Sequence, residues 1–162
     1  MNKKIVWAPW RIDYITAPKE EGCFLCRYLE EETKDKENFL LYRGKSMFIT
    51  LNLYPYNNGH ILIAPNRHIK DFEELTSEEE SESMQLIKKT IKILKKVLKA
   101  ESFNLGVNIG KPAGAGLDSH IHFHIVPRWI GDTNFMPVVA DTKVISQSLK
   151  ELYNQLKKEF ES

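Results

Sequence analysis

Three of the five histidines in this 162-residue chain lie at alternate positions of one short segment, DSHIHFHIVPRW (118–129). They are His120, His122 and His124. Alternate residues of an extended strand project to the same face of a sheet, so this spacing predicts a row of three imidazoles on one face. Such a row could bind a metal ion, act in catalysis or be an inert part of a strand surface.

The spacing favours catalysis over a single metal ion bound by all three side chains. At a rise of about 3.3 Å per residue, the backbones of His120 and His124 would lie about 13 Å apart. A metal–nitrogen bond measures only about 2.0–2.1 Å, so neighbouring pairs could share an ion more easily than the trio. Neutral imidazole is a good nucleophile towards phosphorus. It would form a phosphohistidine-type intermediate that water or another acceptor releases, while flanking histidines bind phosphate oxygens or supply a proton.

The surrounding pattern predicts strands that would position these histidines. RGKSMFITLN (43–52) and HILIAP (60–65) read as strands joined by the turn-rich YPYNNG (54–59). FNLGVNIG (103–110) and HIHFHIV (120–126) each alternate between an apolar face and a face of small or polar residues. A ligand could approach the sheet over that second face.

Two helices are predicted beside the strands, at about 77–100 and about 142–160. Thr76 with Glu79, or Ser77 with Glu80, would form a capping box at the start of the first. Helices that interrupt antiparallel strands place the chain in the α+β class. The buried stripe of the first helix is predicted from residues spaced by three and four: Met84, Ile87, Ile91, Leu94 and Leu98.

Composition indicates an ordinary globular chain. The sequence is 42% hydrophobic and 28% charged with a formal net charge of +1, so we expect a single domain over residues 1–162. The balanced charge gives no electrostatic case for binding nucleic acid or a membrane surface. The apolar part of MNKKIVWAPWR (1–11) is too short for a signal peptide, and no apolar run reaches the length of a membrane helix. We therefore expect a cytoplasmic protein.

At HIHFHIV (120–126) the chain resembles the histidine-triad (HIT) superfamily, whose signature is His-x-His-x-His followed by apolar residues. NNGHILIAPNRHIKDFEELT (57–76) is similar to its Gly-His-hydrophobic-Pro segment, and Asn52 precedes His60 where the superfamily has a ribose-binding asparagine. The resemblance covers the core motifs at 22–129. It implies a HIT-like fold with an antiparallel sheet of about five strands, one long helix and a C-terminal helical extension.

Further segments resemble the branch that contains diadenosine polyphosphate phosphorylases: WAPWR (7–11), LNLYPYNNGH (51–60), PRWIGDTNF (127–135) and TKVI (142–145). Enzymes of that branch split diadenosine tetraphosphate (Ap4A) with phosphate to give ADP and ATP. The resemblance implies a nucleotidyl transferase or hydrolase that attacks the α-phosphate of adenine nucleotides through a covalent nucleotidyl-histidine. Phosphate or water would be the acceptor, and the chain would form a homodimer.

The resemblance also implies roles for individual residues. His122 would be the nucleophile, His124 would contact the phosphates, and His120 and His60 would support the site. The implied substrate contacts are Asn52 with the ribose, Asn108, Gly114 and Gly116 with the phosphates, and Trp129 closing that side.

The only two cysteines, Cys23 and Cys26, form the motif CFLC. In a reducing compartment a lone C-x-x-C is more often a metal clip or a redox pair than a structural disulfide. No βαβ pattern surrounds it, which argues against a thioredoxin-like role. The resemblance implies a zinc site that joins the two cysteines to His68 and His120. Two thiolates and two imidazoles form a closed shell that suits structural zinc, and no organic cofactor is implied.

One departure from the family concerns the acceptor. Many members have Gln and Ser or Thr just before the triad, whereas this chain has Ala115, Gly116 and Leu117, and the phosphorylase branch tends to have Ser in place of Gly116. Hydrolysis of Ap4A or of nucleoside phosphoramidates is therefore an alternative. A nucleotide-binding regulator and a metalloenzyme that uses the triad itself are alternatives from other classes.

Overall fold

The computed structural model describes residues 22–132 and 145–161. Over these residues it confirms the predicted α+β class, with a five-stranded antiparallel sheet and three α-helices. In chain order the elements are α1 (Phe24–Glu30), β1 (Leu40–Arg43), β2 (Met47–Leu51), β3 (Ile61–Pro65), α2 (Ser77–Leu98), β4 (Ser102–Val107), β5 (Phe123–Arg128) and α3 (Leu149–Glu161).

The strand order is β1-β2-β3-β5-β4, so the strand that carries the end of the triad lies inside the sheet. His124 is paired with Leu62 of β3 on one side and with Gly106 of β4 on the other. A central position gives its backbone hydrogen-bonded neighbours on both sides, which makes the sheet a rigid platform for that side chain. β4 is one of the two edge strands, and its Leu105 is 50% exposed.

Different elements cover the two faces of the sheet. One face packs against α2 and α3 in the main core. The opposite face carries α1, whose Leu25 and Tyr28 pack on Leu40, Phe48 and Ala64. His124 lies on this second face, because side chains alternate along a strand and the neighbouring Ile125 belongs to the main core. The main core combines strand residues Met47, Ile49, Leu51, Ile61, Ile63 and Ile125 with helix residues Leu86, Ile87, Leu94, Leu152 and Leu156.

Helix α2 begins where the capping box predicted. The Thr76 side chain accepts from the Glu79 backbone N–H, and the Glu79 carboxylate accepts from the Thr76 N–H. The predicted buried stripe is correct at Ile87 and Leu94 but wrong at Met84, which is 55% exposed. The first turns of α2 lie beside the polar segment around Arg67, so polar residues rather than Met84 are buried there.

Several predicted boundaries are wrong. The strand predicted at 43–52 is β2, which begins at Met47, and the strand predicted at 103–110 is β4, which ends at Val107. Strand β5 begins at Phe123, so His120 and His122 precede it instead of continuing one straight strand. The Ile121 backbone N–H donates to the Ile69 carbonyl over 2.8 Å, which draws this segment away from β3. The final helix begins at Leu149 rather than near residue 142. Ser148 is its N-cap, because Ser148 Oγ accepts from the Glu151 backbone N–H.

The segment WAPWR (7–11) and residues 133–135 and 142–144 of the other branch motifs lie outside the described residues. Among the helices that are described, none combines the length and the apolar character needed to cross a membrane.

Candidate active site and metal site

His122 and His124 are neighbours in a buried site. Their ring centroids lie 4.8 Å apart, and the two side chains are 7% and 8% exposed. On the β4 side the floor of the site is Gly106, where a Cβ atom would meet no heavy atom within 4 Å. The pair therefore borders open space over β4, which a substrate could enter.

One hydrogen bond fixes the proton of His122. Its Nδ1 lies 2.8 Å from the backbone carbonyl oxygen of His120. A carbonyl oxygen only accepts, so Nδ1 carries the hydrogen and donates it. The other ring nitrogen, Nε2, then holds the lone pair that a nucleophile requires.

A chain of hydrogen bonds fixes His124 in the opposite tautomer. The Tyr56 backbone N–H donates to His60 Nδ1 over 3.1 Å, so that nitrogen has no hydrogen. The hydrogen of neutral His60 is therefore on Nε2, which lies 2.9 Å from His124 Nδ1 and donates to it. The hydrogen of His124 must consequently be on its own Nε2.

Asn52 reinforces this chain. Its Oδ1 accepts from the Tyr54 N–H over 2.9 Å, which identifies the other amide atom, 3.2 Å from His60 Nδ1, as the donor Nδ2. His60 Nδ1 thus faces two N–H donors and cannot become protonated without losing both. Asn52, predicted from the resemblance to bind ribose, holds His60 in this structure.

The Nε2–H of His124 is a buried donor that has no hydrogen-bond partner among residues 22–132 and 145–161. Such a group costs roughly 1–3 kcal/mol when it stays unsatisfied, so it marks a place where a ligand acceptor belongs. The site therefore places a nucleophilic ring nitrogen beside a hydrogen-bond donor, which suits attack on a phosphorus centre whose oxygens gain charge.

Burial keeps these rings neutral. It is the largest cause that lowers the pKa of His60 to about 3, followed by the nearby His124 and His122. Burial and then His122 lower the pKa of His124 to about 4. Burial also lowers the pKa of His122, against the opposing effect of its hydrogen bond to His120. At neutral pH the hydrogen-bond chain from Tyr56 to His124 thus persists in the arrangement described.

A second cluster joins the four residues that the resemblance assigned to zinc. The ligand atoms of Cys23, Cys26, His68 and His120 all lie within 4.8 Å of one another. His120 Nδ1 is 3.2 Å from Cys23 Sγ and 3.5 Å from Cys26 Sγ, while His68 Nδ1 is 3.1 Å from Cys26 Sγ. These separations fit the edges of a tetrahedron with bonds of about 2.0–2.3 Å around one ion.

The protonation of this cluster also fits a metal. His120 Nε2 lies 2.9 Å from the Pro65 carbonyl and donates to it, so its Nδ1 lone pair faces the sulfurs. Burial, followed by the neighbouring Cys23, raises the pKa of Cys26 to about 11. A raised pKa disfavours the thiolate of Cys26, and a divalent ion bound by the four side chains would supply the positive charge that stabilises it.

The other residues that the resemblance assigned to substrate binding lie at different distances from the histidines. Asn108 follows β4, and the pairing of Val107 with Phe123 puts it beside His122. The Gly114 N–H donates to the Lys111 carbonyl over 2.9 Å, so it is used inside its own 3-10 turn (Lys111–Ala113). Gly116 is exposed. The Trp129 indole donates to the Leu98 and Lys99 carbonyls, which places it at the end of α2 and away from the triad.

Sequence reasoning missed Tyr56. Its backbone N–H starts the chain of hydrogen bonds, and its ring stacks on His124 at a centroid distance of 5.8 Å and an angle of 18°. The only signal was an aromatic residue inside the turn before His60. A turn motif does not reveal which main-chain N–H will face a ring nitrogen.

Comparisons with known proteins agree with this geometry. A family model described as HIT domain matches residues 33–129. An AP-4-A phosphorylase from Mycobacterium tuberculosis is 37% identical over 153 residues, which are 90% of this chain and 78% of that protein. A hypothetical histidine triad nucleotide-binding protein from Sulfolobus tokodaii is 27% identical with a TM-score of 0.66, over 85% of this chain and 89% of that one.

A zinc-bound histidine triad family protein from Mycobacterium smegmatis has the same fold, at 22% identity and a TM-score of 0.68 over 86% of this chain and 94% of that one. The family match spans all five strands of the sheet and includes the whole triad. By its motifs, its fold and these matches, the chain belongs to the histidine-triad (HIT) family.

Proposed function

We propose that this protein is a nucleotidyl transferase that cleaves diadenosine polyphosphates, with phosphorolysis of Ap4A to ADP and ATP as its main reaction. The observation that carries the proposal is the pair of opposite tautomers: the Nε2 lone pair of His122 beside the unpartnered Nε2–H of His124. The 37% identical AP-4-A phosphorylase supports the choice of substrate.

In the first step His122 Nε2 attacks the α-phosphorus of one adenylyl group. A phosphorus–nitrogen bond forms while the bond to the bridging oxygen breaks, and ATP leaves with that electron pair. His122 gains positive charge, which its Nδ1–H shares with the His120 carbonyl. His124 Nε2–H donates to a phosphate oxygen where negative charge develops.

In the second step an acceptor oxygen attacks the same phosphorus and breaks the phosphorus–nitrogen bond. Inorganic phosphate as acceptor gives ADP, and water gives AMP. The electron pair of the broken phosphorus–nitrogen bond returns to Nε2, the single N–H hydrogen of His122 stays on Nδ1, and the attacking oxygen loses its proton to solvent. The same two rings therefore serve both steps without changing tautomer.

Cys23, Cys26, His68 and His120 would hold a structural zinc ion, which supplies charge neutralisation and a cross-link rather than a step of the reaction. His120 connects the two sites, because its side chain faces the sulfurs while its carbonyl orients His122. Thiolates that remain available for a metal suit a reducing compartment, so we place the protein in the cytoplasm.

We also propose that residues 1–162 form one domain and that two copies pair. The edge strand β4 and the residues after it expose Leu105 and Ile109, at 50% and 52%. An edge strand with apolar side chains is a favourable surface for a second copy. Light scattering of the purified chain would give the mass of a dimer if the proposal is right.

Product analysis tests the reaction. Incubation of the full chain with Ap4A and phosphate should give ADP and ATP, with little turnover when phosphate is omitted. AMP and ATP in both conditions would favour the hydrolase alternative. Intact Ap4A would overturn the dinucleotide proposal and favour a phosphoramidase or a nucleotide-binding regulator.

The variant His122→Ala tests the covalent step. Loss of the nucleophile should lower kcat by about 10⁴–10⁶. With wild-type protein and no phosphate, mass spectrometry should find one adenylyl group attached to His122. More than a few per cent residual activity in the variant would contradict the mechanism.

The hydrolase alternative has a specific observation in its favour, which is Gly116 in place of the branch's serine. A Cβ atom at Gly116 would meet no heavy atom within 4 Å, so the site accepts a serine without strain. If the missing hydroxyl limits phosphate as acceptor, Gly116→Ser should raise the ratio of ADP to AMP among the products. An unchanged ratio would show that Gly116 does not select the acceptor.

A further inference from the structure

A carboxylate just beyond β5 is not used by the mechanism above. The Asp132 side chain is only 9% exposed. Its oxygens accept from the Arg128 guanidinium over 2.6 Å and 2.9 Å and from the Trp129 backbone N–H over 3.3 Å. Burying a carboxylate is costly unless hydrogen bonds satisfy it, and Asp132 has a further partner inside the fold.

That partner is the amide of Asn57, which is 6% exposed. It lies 2.7 Å from Asp132 Oδ2 and 2.9 Å from the Pro127 carbonyl oxygen. Both of these oxygens only accept, so the amide atom that faces them is the donor Nδ2. Asn57 Oδ1 then accepts from the Asn58 backbone N–H over 3.1 Å. One side chain thus ties the turn YPYNNG (54–59) to the end of β5.

This turn carries the first donor of the catalytic hydrogen-bond chain. Tyr56, directly before Asn57, donates its backbone N–H to His60 Nδ1 over 3.1 Å. The Asn57 carbonyl in turn accepts from the His60 backbone N–H over 3.2 Å. The turn lies between β2 and β3, so strand pairing does not hold its backbone. The direction of the Tyr56 N–H therefore depends on how Asn57 is fixed.

The surroundings of Asp132 suit a carboxylate better than an amide. The Arg128 guanidinium, Asn57 Nδ2 and the Trp129 N–H are all donors. An asparagine at this position would have a single acceptor oxygen, and its NH2 group would face one of these N–H groups. Asp132→Asn therefore weakens the hold on Asn57 with almost no change in the size of the side chain.

We infer that Asp132 is a positioning residue for the reaction. Through Asn57 it fixes the Tyr56 N–H. That N–H keeps hydrogen off His60 Nδ1 and so sets the tautomer of His124. The inference rests on the proposed function, because it assigns a part in that reaction to a residue that lies 75 positions from Asn57 in the chain.

Asp132→Asn should lower kcat for Ap4A by about tenfold and leave KM nearly unchanged, because one hydrogen bond of the chain is weakened while the nucleotide contacts remain. The effect should be smaller than that of losing His60, since the Asn52 amide still faces His60 Nδ1. Nitrogen-detected NMR should find the hydrogen of His124 shared between Nε2 and Nδ1 instead of on Nε2 alone. Loss of packing alone would not change these tautomers.

Asn57→Ala tests the same connection from the other side. It removes the amide but keeps the ion pair of Arg128 with Asp132, so it should reproduce the loss in kcat and the mixed tautomer. It also provides the test if Asp132→Asn does not fold. Because both changes break one connection, the double variant should lose no more kcat than the more affected single variant.

Glu101→Gln is the matched control, since it makes the same change of charge at the same end of β5. Its carboxylate accepts from the Ile130 backbone N–H over 3.1 Å and so holds the loop that leads to Asp132. In the part of the chain that the structure describes, no hydrogen bond joins Glu101 to the turn at 54–59. The control should keep the wild-type kcat and tautomers, and an equal loss of kcat there would overturn the inference.

Wild-type kcat and tautomers in both Asp132→Asn and Asn57→Ala would also overturn it, as would losses in kcat that multiply in the double variant. A lower kcat with unchanged tautomers would do the same, because Asp132 would then act by another route. If the wild type does not cleave Ap4A, the proposed function fails, and the tautomers in the variants still decide whether Asp132 positions His60.

Discussion

His60 shows how much of this site depends on the position of single hydrogen atoms. Its Nδ1 accepts from the Tyr56 N–H and faces the Asn52 amide, and its Nε2–H then determines the tautomer of His124. A side chain that never reaches the phosphorus thus decides which nitrogen of His124 can donate. His60 is a positioning residue in this sense.

At the residue scale, His60→Phe should lower kcat by about 100-fold, because His124 Nδ1 loses its donor and the ring is no longer held in one tautomer. KM for the nucleotide should change little. Tyr56→Phe is the control, since it keeps both the ring and the backbone N–H and should retain kcat.

Nitrogen-detected NMR of the imidazoles would test the same chain directly. We expect hydrogen on Nδ1 of His122 and on Nε2 of both His60 and His124. A wild-type spectrum with the His124 hydrogen on Nδ1 would contradict the proposed arrangement. Normal kcat in His60→Phe would do the same.

The sequence predicted that His122 and His124 would act together, and the structure brings them together. It did not predict their tautomers, because these depend on the His120 carbonyl and the Tyr56 N–H, and main-chain atoms leave no trace in residue types. Asn52 is a related case. The family resemblance implied that Asn52 binds the ribose, which remains a prediction, and it gave no sign that the Asn52 amide also lies 3.2 Å from His60 Nδ1.

At the scale of elements, the start of α2 secures the segment that carries His68. Glu79 is 2% exposed, and its carboxylate accepts from Arg67 and from the Thr76 N–H. Arg67 also donates to the Glu74 carbonyl, so one guanidinium joins the helix to the preceding turn. His68 follows Arg67 directly, and its orientation depends on this contact.

Glu79 should make stability depend on pH. Its hydrogen bonds to Arg67 are the largest cause that lowers its pKa from 4.5 to about 2. The unfolded chain takes up this proton near pH 4.5 and the folded chain only near pH 2. The stabilisation is therefore complete above about pH 5 and is lost as the pH falls through that window.

Glu79→Gln should lower the free energy of unfolding by about 2 kcal/mol at neutral pH. The difference from the wild type should shrink between pH 4.5 and pH 2, as urea unfolding at several pH values would show. Glu80→Gln changes an exposed neighbour in the same turn and should lower the free energy of unfolding by much less. If the free energies of unfolding of the wild type and Glu79→Gln differed by the same amount from pH 4.5 to pH 2, the lowered pKa of Glu79 would not be the cause.

The capping box was predictable because it is local: Thr76 and Glu79 are three residues apart. The burial of the helix was predicted less well, because the buried face includes the polar Ser83 and leaves its neighbour Met84 exposed. The start of β5 was also missed, since the tie from Ile121 to Ile69 spans 52 positions of the chain and no periodicity reports it.

At the scale of the whole molecule, the proposed zinc site connects parts of the chain that are far apart in sequence. Cys23 and His120 are 97 positions apart, and His68 lies between β3 and α2. Cross-links that close long loops stabilise a fold by restricting the unfolded chain. The four ligands were assigned through the family resemblance, and spacing alone would not have grouped them.

Removal of the metal should therefore destabilise the whole molecule. We expect the purified protein to contain one zinc ion per chain by elemental analysis. Treatment with a chelator should lower Tm by at least about 5 °C, which is a loss of roughly 2 kcal/mol for a chain of this size. Zinc should restore the wild-type Tm but not that of Cys26→Ser. An unchanged Tm after complete removal of the metal would contradict a structural role.

The double use of His120 also affects how the protein could be re-engineered. Its imidazole faces the cysteines, but His122 is oriented by its main-chain carbonyl, and every amino acid provides a carbonyl. A redesign could replace the two cysteines, His68 and the His120 side chain with well-packed apolar residues and still retain the tautomer of the nucleophile. The metal cluster and the catalytic pair are thus separable modules that meet in one residue, and a metal-free version needs a new core at that corner but no new catalyst.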